Sequence, residues 1–362
     1  MNKDVNNGQS RREFLGRSVA ALAAASFLPS AFSCTGKSVA APAPVDTAAE
    51  AGKVNSKFGG VQIGTITYSW RSMPGGLENI IKYCQEANIS SIELMGDDLE
   101  AYLGAPENPM MKFFRRQAPQ PAAKPGEKPA APRRMGPPKF TPEQQAEIDK
   151  YKEEVKAWRL GLDLSKVEGA RKLLSDAGIS VHIVKMQPSG MGSDEEVDYA
   201  FKVAKAMGAK AVTDEINLET AKRVAPFAEK HGMYMAFHNH MQYAEEGFSC
   251  DPILAVSPSI MLNFDAGHFF GSTGIHPNEM KYHDRIYSIH LKDKTGPTTG
   301  DQPNTNQVWG QGEMPLEDVL LLIKQEKWPI YCDIELEYDI KPWSDSVKEV
   351  GTCVKYARQI LM

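Results

Sequence analysis

Several large protein classes are set aside by what this chain has little of. It holds five cysteines in 362 residues and no CxxC pair, so neither a thiolate zinc site nor a redox motif is indicated. Cys84, Cys250, Cys332 and Cys353 are widely spaced and read as core or lone thiols. Basic residues are not in excess. A net charge of -5 argues against a nucleic-acid partner, because phosphate binding calls for a basic face. No apolar run beyond the N-terminus is long enough to span a bilayer. No GxGxxG turn follows the first strand-like segment, and no glycine loop suited to cradling phosphate is seen. What the chain does have is 42% hydrophobic and 24% charged residues, the balance of a soluble globular protein with a sizeable core.

The first 55 residues read as lying outside the fold. Ser10-Arg11-Arg12-Glu13-Phe14-Leu15 precedes an alanine-rich apolar stretch from Val19 to Leu28, a pattern similar to a bacterial twin-arginine export signal. Ala31-Phe32-Ser33-Cys34 resembles a lipoprotein cleavage box, with Cys34 as the residue carrying a lipid anchor. Residues 1–34 are therefore expected to be signal and 35–55 a linker rich in Ala, Pro and Val. This places the mature protein in the periplasm, where phosphorylated sugars are scarce.

From Val61 onward, strand-like and helix-like segments alternate, as in a parallel α/β fold. The expected strands are VQIGTITYSW, SIELMG, ISVHIVKMQ, KAVTDEI, MYMAFHNH, IMLNFDAGH, IYSIHLKD and IYCDIELE. Helices are expected over Leu77–Ala87, Ser165–Ala177, Asp194–Met207, Ala221–His231, Leu316–Lys324 and Val347–Leu361. The alternation breaks once, between Ala105 and Pro142, where ten of the chain's 24 prolines fall among Ala, Lys and Arg. Such a segment cannot bury a core. It reads as a basic low-complexity insertion after strand 2, running into a helix from about Thr141 to Leu160. Eight strand–helix units over residues 56–362 fit a single (β/α)8 barrel with one insertion. A doubly wound open sheet ranks lower.

Acidic and histidine residues cluster at the strand ends of the C-terminal half: His238 and His240, Asp265 and His268, His290 with Lys292 and Asp293, then Asp333, Glu335 and Glu337. Parallel strands joined by helices all end on one side, so these side chains are expected to converge. Imidazoles and carboxylates together form the donor set of a divalent metal.

Phe237-His238-Asn239-His240, Asp265-Ala266-Gly267-His268, His290-Leu291-Lys292-Asp293 and Ile334-Glu335 resemble the xylose-isomerase-like sugar isomerase/epimerase superfamily. Its members include inosose dehydratases, ketose 3-epimerases, hydroxypyruvate isomerases and a branch of DNA-repair endonucleases. The resemblance implies one divalent ion, manganese first and magnesium, cobalt or zinc as alternatives. It also implies Asp265, His290 and Glu335 as ligands, and a sugar as substrate. On strand 5 the epimerases carry a glutamate. Here His238 or His240 takes that place, with His238 the favoured fourth ligand and Glu215 another candidate.

Glu215, His240 and Glu335 are candidates for the base that removes a proton beside the sugar carbonyl, and Lys292 for holding an oxyanion. Lys292 has a structural alternative, an ion pair with Asp293. Glu337 is the fallback for Glu335, and His268 is expected to orient a ligand. Trp70, Trp309 and Trp343 fall in strand-end loops, where they would stack on sugar or pack in the core. His182 reads as core, whereas His231, His276 and His283 read as surface residues. The expected reaction is β-elimination from a 3-keto-glycoside, with isomerisation or epimerisation of an unphosphorylated sugar as the alternative.

Overall fold

The computed structural model describes residues 54–115, 140–279 and 282–362. The expected export signal, Cys34 and nearly all of the linker lie outside the described residues, as does the greater part of the basic insertion.

Eight parallel strands close into a barrel. They are β1 (Val61–Ile66), β2 (Ser91–Met95), β3 (Ser180–Lys185), β4 (Ala211–Glu215), β5 (Tyr234–His238), β6 (Ile260–Asp265), β7 (Ile286–Leu291) and β8 (Tyr331–Ile334). Each pairs with the next in parallel, and β8 returns to β1. The strands are almost wholly buried because helices cover the outer face and side chains fill the interior. A two-residue strand, Lys57–Phe58, runs antiparallel along β1.

The outer layer comprises α1 (Leu77–Ala87), α2 (Gly96–Tyr102), α3 (Pro142–Leu160), α4 (Leu164–Asp176), α5 (Asp194–Ala206), α6 (Leu218–His231), α7 (Ala266–Thr273), α8 (Leu316–Glu326) and α9 (Ser346–Leu361). Local chemistry sets their limits. Thr141 and Gln144 form a reciprocal capping box that starts α3, and Ser193, Asn217 and Asp345 cap α5, α6 and α9 with their side chains. Gly232 ends α6 in the left-handed region, at φ 61°. In α1, Leu77, Ile80, Cys84 and Ala87 recur at helical spacing and face the barrel. The main core lies between helices and barrel wall, where Phe201, Phe237, Phe264 and Leu174 are fully buried. Inside the barrel, Ile183, Ala211 and Ala236 form a small apolar cluster.

Strand register brings the polar strand ends together. Glu215 pairs with His238, and Asp265 pairs with His290. Asp333 also lies beside His290, which leaves Glu335 one step beyond the last β8 pair. Deeper in the barrel, His182 is buried as expected of a core residue. Its Nδ1 lies 2.9 Å from Ser91 Oγ and its Nε2 2.8 Å from Asp333 Oδ2.

Candidate metal centre

His238, Asp265, His290 and Glu335 meet at the barrel mouth, with one ligand atom from each within 4.8 Å of the others. All four are buried. They are the four side chains named from the sequence, drawn from the ends of β5, β6, β7 and β8.

Asp265 does two jobs. Its Oδ1 accepts the His268 N–H at 2.6 Å and so caps α7, while Oδ2 faces the cluster. Asn239 holds the same turn from below, accepting the Asp265 N–H at 2.9 Å and donating to its carbonyl at 3.2 Å. The His-Asn-His and Asp-Ala-Gly-His turns are thereby locked to each other. His238 Nε2 lies 3.8 Å from Asp265 Oδ2, and its Nδ1 makes no hydrogen bond. Burial, with the positive charge at His290 and Lys185, pushes the His238 pKa well below the usual imidazole range. Burial thus favours the neutral imidazole, the form in which histidine binds a metal.

His290 is held at both nitrogens. Nδ1 lies 2.8 Å from Glu335 Oε2, and Nε2 lies 2.8 Å from Glu93 Oε2. Burial alone would lower the pKa of this ring, but the two carboxylates outweigh it and hold the value well above the ordinary one. Glu93, on β2, also accepts from Asn263 Nδ2 at 2.8 Å. It belongs to the site although sequence reasoning passed over it. Its one signal was a buried-looking strand that carries a carboxylate.

Two imidazoles and two carboxylates, buried and converging, fit a divalent ion. Glu93 beneath His290 is the carboxylate partner that such histidines commonly have.

Around this cluster lie the remaining candidates. Glu215 Oε2 is 2.8 Å from His240 Nε2, and Glu215 Oε1 accepts from Lys185 Nζ at 3.0 Å. Burial opposes ionisation of Glu215, but His240 and Lys185 override it and push the pKa down to about 2. The hydrogen bond to Glu215 in turn raises the His240 pKa against the effect of burial. Glu215 thus pairs with His240 and Lys185 and also converges with His238 and His240, while His238 is the fourth member of the four-residue cluster. His268 is packed against His240, ring centroids 4.9 Å apart, and neither of its nitrogens makes a hydrogen bond. Burial lowers its pKa to about 4.

Lys292 departs from its structural alternative. It does not pair with Asp293; its Nζ reaches Asp265, Glu335 and Glu337 at 2.7–2.8 Å. Adjacent residues on an extended chain face opposite ways, so Lys292 points inward and Asp293 outward. Asp293 instead accepts the backbone N–H groups of Gly310, Gly312 and Met314 and fixes the loop before α8. Two tryptophans are also core residues. Trp70 and Trp309 are buried against Tyr83 and Tyr356, whereas Trp343 is 80% exposed. His231 is not a surface residue: its Nε2 lies 2.7 Å from Asp198 Oδ1, and its side chain is 11% exposed. His283 is exposed and His276 partly so, at 34% of its side chain.

A closed barrel with a histidine–carboxylate cluster at the C-terminal strand ends defines a class of barrel proteins with a metal-type site at the mouth. More narrowly, the chain belongs to the xylose isomerase-like TIM barrel family, whose model matches residues 151–355. Among solved structures it is similar to the probable 3-DHS dehydratase AsbF of Bacillus anthracis, at TM-score 0.52 and 11% identity over 82% of this chain and 98% of that one. It is also similar to IolI with a bound zinc atom, at 0.52 and 12% over 83% and 98%. A third is D-psicose 3-epimerase of Clostridium cellulolyticum H10, solved with D-tagatose, at 0.50 and 10% over 83% and 99%. At these identities the likeness is one of fold. No curated protein matches the chain.

Proposed function

We propose that this protein removes the proton beside a sugar ketone and expels the neighbouring substituent, acting as a lyase on 3-keto-glycosides. The observation that carries the reading is the convergence of His238, Asp265, His290 and Glu335 beside a more open Glu215–His240 pair, which borders the cluster at His238. His238, Asp265, His290 and Glu335 would hold a divalent ion, manganese being the first choice. When bound, the ion supplies Lewis-acid polarisation of the substrate carbonyl.

The residues of the chain supply the proton traffic. His240 is tied to Glu215 through Nε2, which leaves Nδ1 as the nitrogen for substrate. Glu215 raises the proton affinity of that imidazole and so makes it a stronger base. His240 takes the proton from C2, the C2–H electrons form the C1=C2 double bond, and the C1–O bond breaks. The same imidazolium then returns its proton to the departing oxygen. Glycoside becomes a 2-hydroxy enone plus an alcohol, and atoms and charge balance.

Inversion at a carbon requires proton exchange on both of its faces. Here the buried carboxylates of Asp265 and Glu335 are already engaged with the His268 amide and His290. One exposed acid–base pair favours elimination over epimerisation. The alternative, isomerisation or epimerisation of an unphosphorylated sugar, uses the same proton abstraction. Action in the periplasm, with a lipid anchor at Cys34, remains part of the proposal. Among the described residues no helix is long and apolar enough to cross a membrane.

The full-length protein, loaded with manganese, is to be mixed in D2O with a 3-keto-glucoside bearing a chromogenic aglycone and followed by NMR. Release of aglycone with an enone product, suppressed by EDTA, is expected. Deuterium entering C2 without release would replace the lyase by the epimerase or isomerase. Asp265→Asn should abolish turnover while leaving the fold intact, because asparagine still caps α7. Retained turnover would remove Asp265 from the centre.

A further inference from the structure

Lys292 reaches into the middle of the cluster. Its Nζ lies 2.8 Å from Asp265 Oδ2, 2.8 Å from Glu335 Oε2 and 2.7 Å from Glu337 Oε2. Asp265 and Glu335 are two of the four groups whose ligand atoms converge; Glu337 is not. Asp265 has no oxygen in reserve, since Oδ1 is committed to the His268 amide at 2.6 Å. The Glu335 oxygen that meets the lysine is also the one bonded to His290 Nδ1. The lysine is 2% exposed, so water does not screen these contacts. Room for its stem depends on Gly267, where a Cβ would collide with Lys292 Cγ. The Asp-Ala-Gly-His turn thus provides both a carboxylate and the passage by which the ammonium reaches it.

We propose that the Lys292 ammonium is an internal competitor for the divalent ion, and that ion binding requires it to withdraw from Asp265 and Glu335 onto Glu337. The inference rests on the metal centre proposed above. Two cations that draw on the same buried oxygens repel each other, and the low local dielectric strengthens that repulsion. Glu337 offers the way out. It is the one partner outside the ligand cluster, and its side chain is 22% exposed, against 0% for Asp265 and 6% for Glu335. A lysine resting on Glu337 stays paired while the two ligand carboxylates turn to the ion. Without an ion, the same lysine keeps the buried carboxylates from repelling one another and holds them in place. An alternative role is purely structural: Lys292 would then position Asp265 and Glu335 for the ion and would assist binding.

The two roles predict opposite signs. The full-length protein, stripped of metal, is to be titrated with MnCl2 while free Mn2+ is read by electron paramagnetic resonance. Lys292→Met should bind Mn2+ at least tenfold more tightly than wild type. The thermal midpoint of the metal-free variant should fall, and saturating Mn2+ should restore most of the loss. Lys292→Gln, which keeps a polar end, should shift affinity in the same direction and serves if the methionine variant does not fold. Equal or weaker Mn2+ binding in the folded variants overturns the competition. If wild type shows no Mn2+ site that Asp265→Asn abolishes, the metal centre itself falls, and the competition falls with it.

Discussion

Glu93 sets which nitrogen of His290 faces the cluster. By accepting Nε2–H it leaves Nδ1 directed at Glu335 and the other ligand groups. Loss of such a partner typically costs about 10–100-fold in metal affinity. Glu93→Ala is therefore expected to weaken Mn2+ binding by that order, and Glu93→Gln, which still accepts a hydrogen bond, by less. A titration in which both variants bind like wild type would remove Glu93 from the site. The sign is opposite to that expected for Lys292, because Glu93 supports His290 from behind whereas Lys292 occupies the oxygens of Asp265 and Glu335. At this scale the sequence was most informative about residue types at strand ends and least about pairings across the barrel. Glu93 and His290 are 197 positions apart, and no local pattern links them. Lys292 was visible as a candidate, but its partners were not, because its neighbour in sequence, Asp293, points the other way.

Two ion clusters tie the outer helices into place. Arg159, in the last turn of α3, donates from Nε to Glu100 at 2.8 Å and from Nη1 to Glu196 at 3.0 Å, joining α3 to α2 and α5. Its side chain is 14% exposed, and the two carboxylates are at 6% and 5%. Removing one member of a buried ion cluster leaves uncompensated charge. Arg159→Met should lower the unfolding free energy by about 3–5 kcal/mol, measured by urea denaturation; a loss under about 1 kcal/mol would show the cluster to be screened like a surface pair. Asp198 joins α5 to α6, with Lys202, Lys230 and His231 all at 2.7 Å. Burial would raise its carboxyl, but these three partners hold it well below the usual range. An aspartate depressed in the folded state contributes stability above its unfolded pKa of about 3.9, and loses it as pH falls towards the folded value. The stability gap between wild type and Asp198→Asn should therefore be constant from about pH 5 to 7 and shrink below about pH 4. A gap of equal size at low pH would assign it to packing. The helices themselves were legible from caps and spacing: the expected limits of α3, α5 and α9 agree with the structure to within a residue. The ties between helices were not, since charged residues on helix faces look alike whether paired or free.

For the whole molecule, eight strand-like segments in alternation with helices were enough to foretell a barrel, because that alternation is the pattern of parallel strands joined by covering helices. Closure follows once β8 finds β1. The long basic insertion stands apart from this logic. The rings of Phe113 and Phe140, on either side of residues 116–139, have centroids 6.1 Å apart. That ring contact holds the two flanking segments near each other, so a Gly-Ser link can join them, and shortening a loop changes closure entropy only slightly. Deletion of 116–139 should leave the thermal midpoint within a few degrees of wild type, by calorimetry; a large fall would make the segment part of the fold. The polar strand ends from β5 to β8 are expected to form one divalent metal centre. Crystals of the protein grown with MnCl2, measured at the manganese absorption edge, test it most directly. One anomalous peak is expected, bounded by His238, Asp265, His290 and Glu335, with Lys292 drawn back to Glu337. A peak elsewhere, or Lys292 still seated on Asp265 with no peak beside it, would contradict it.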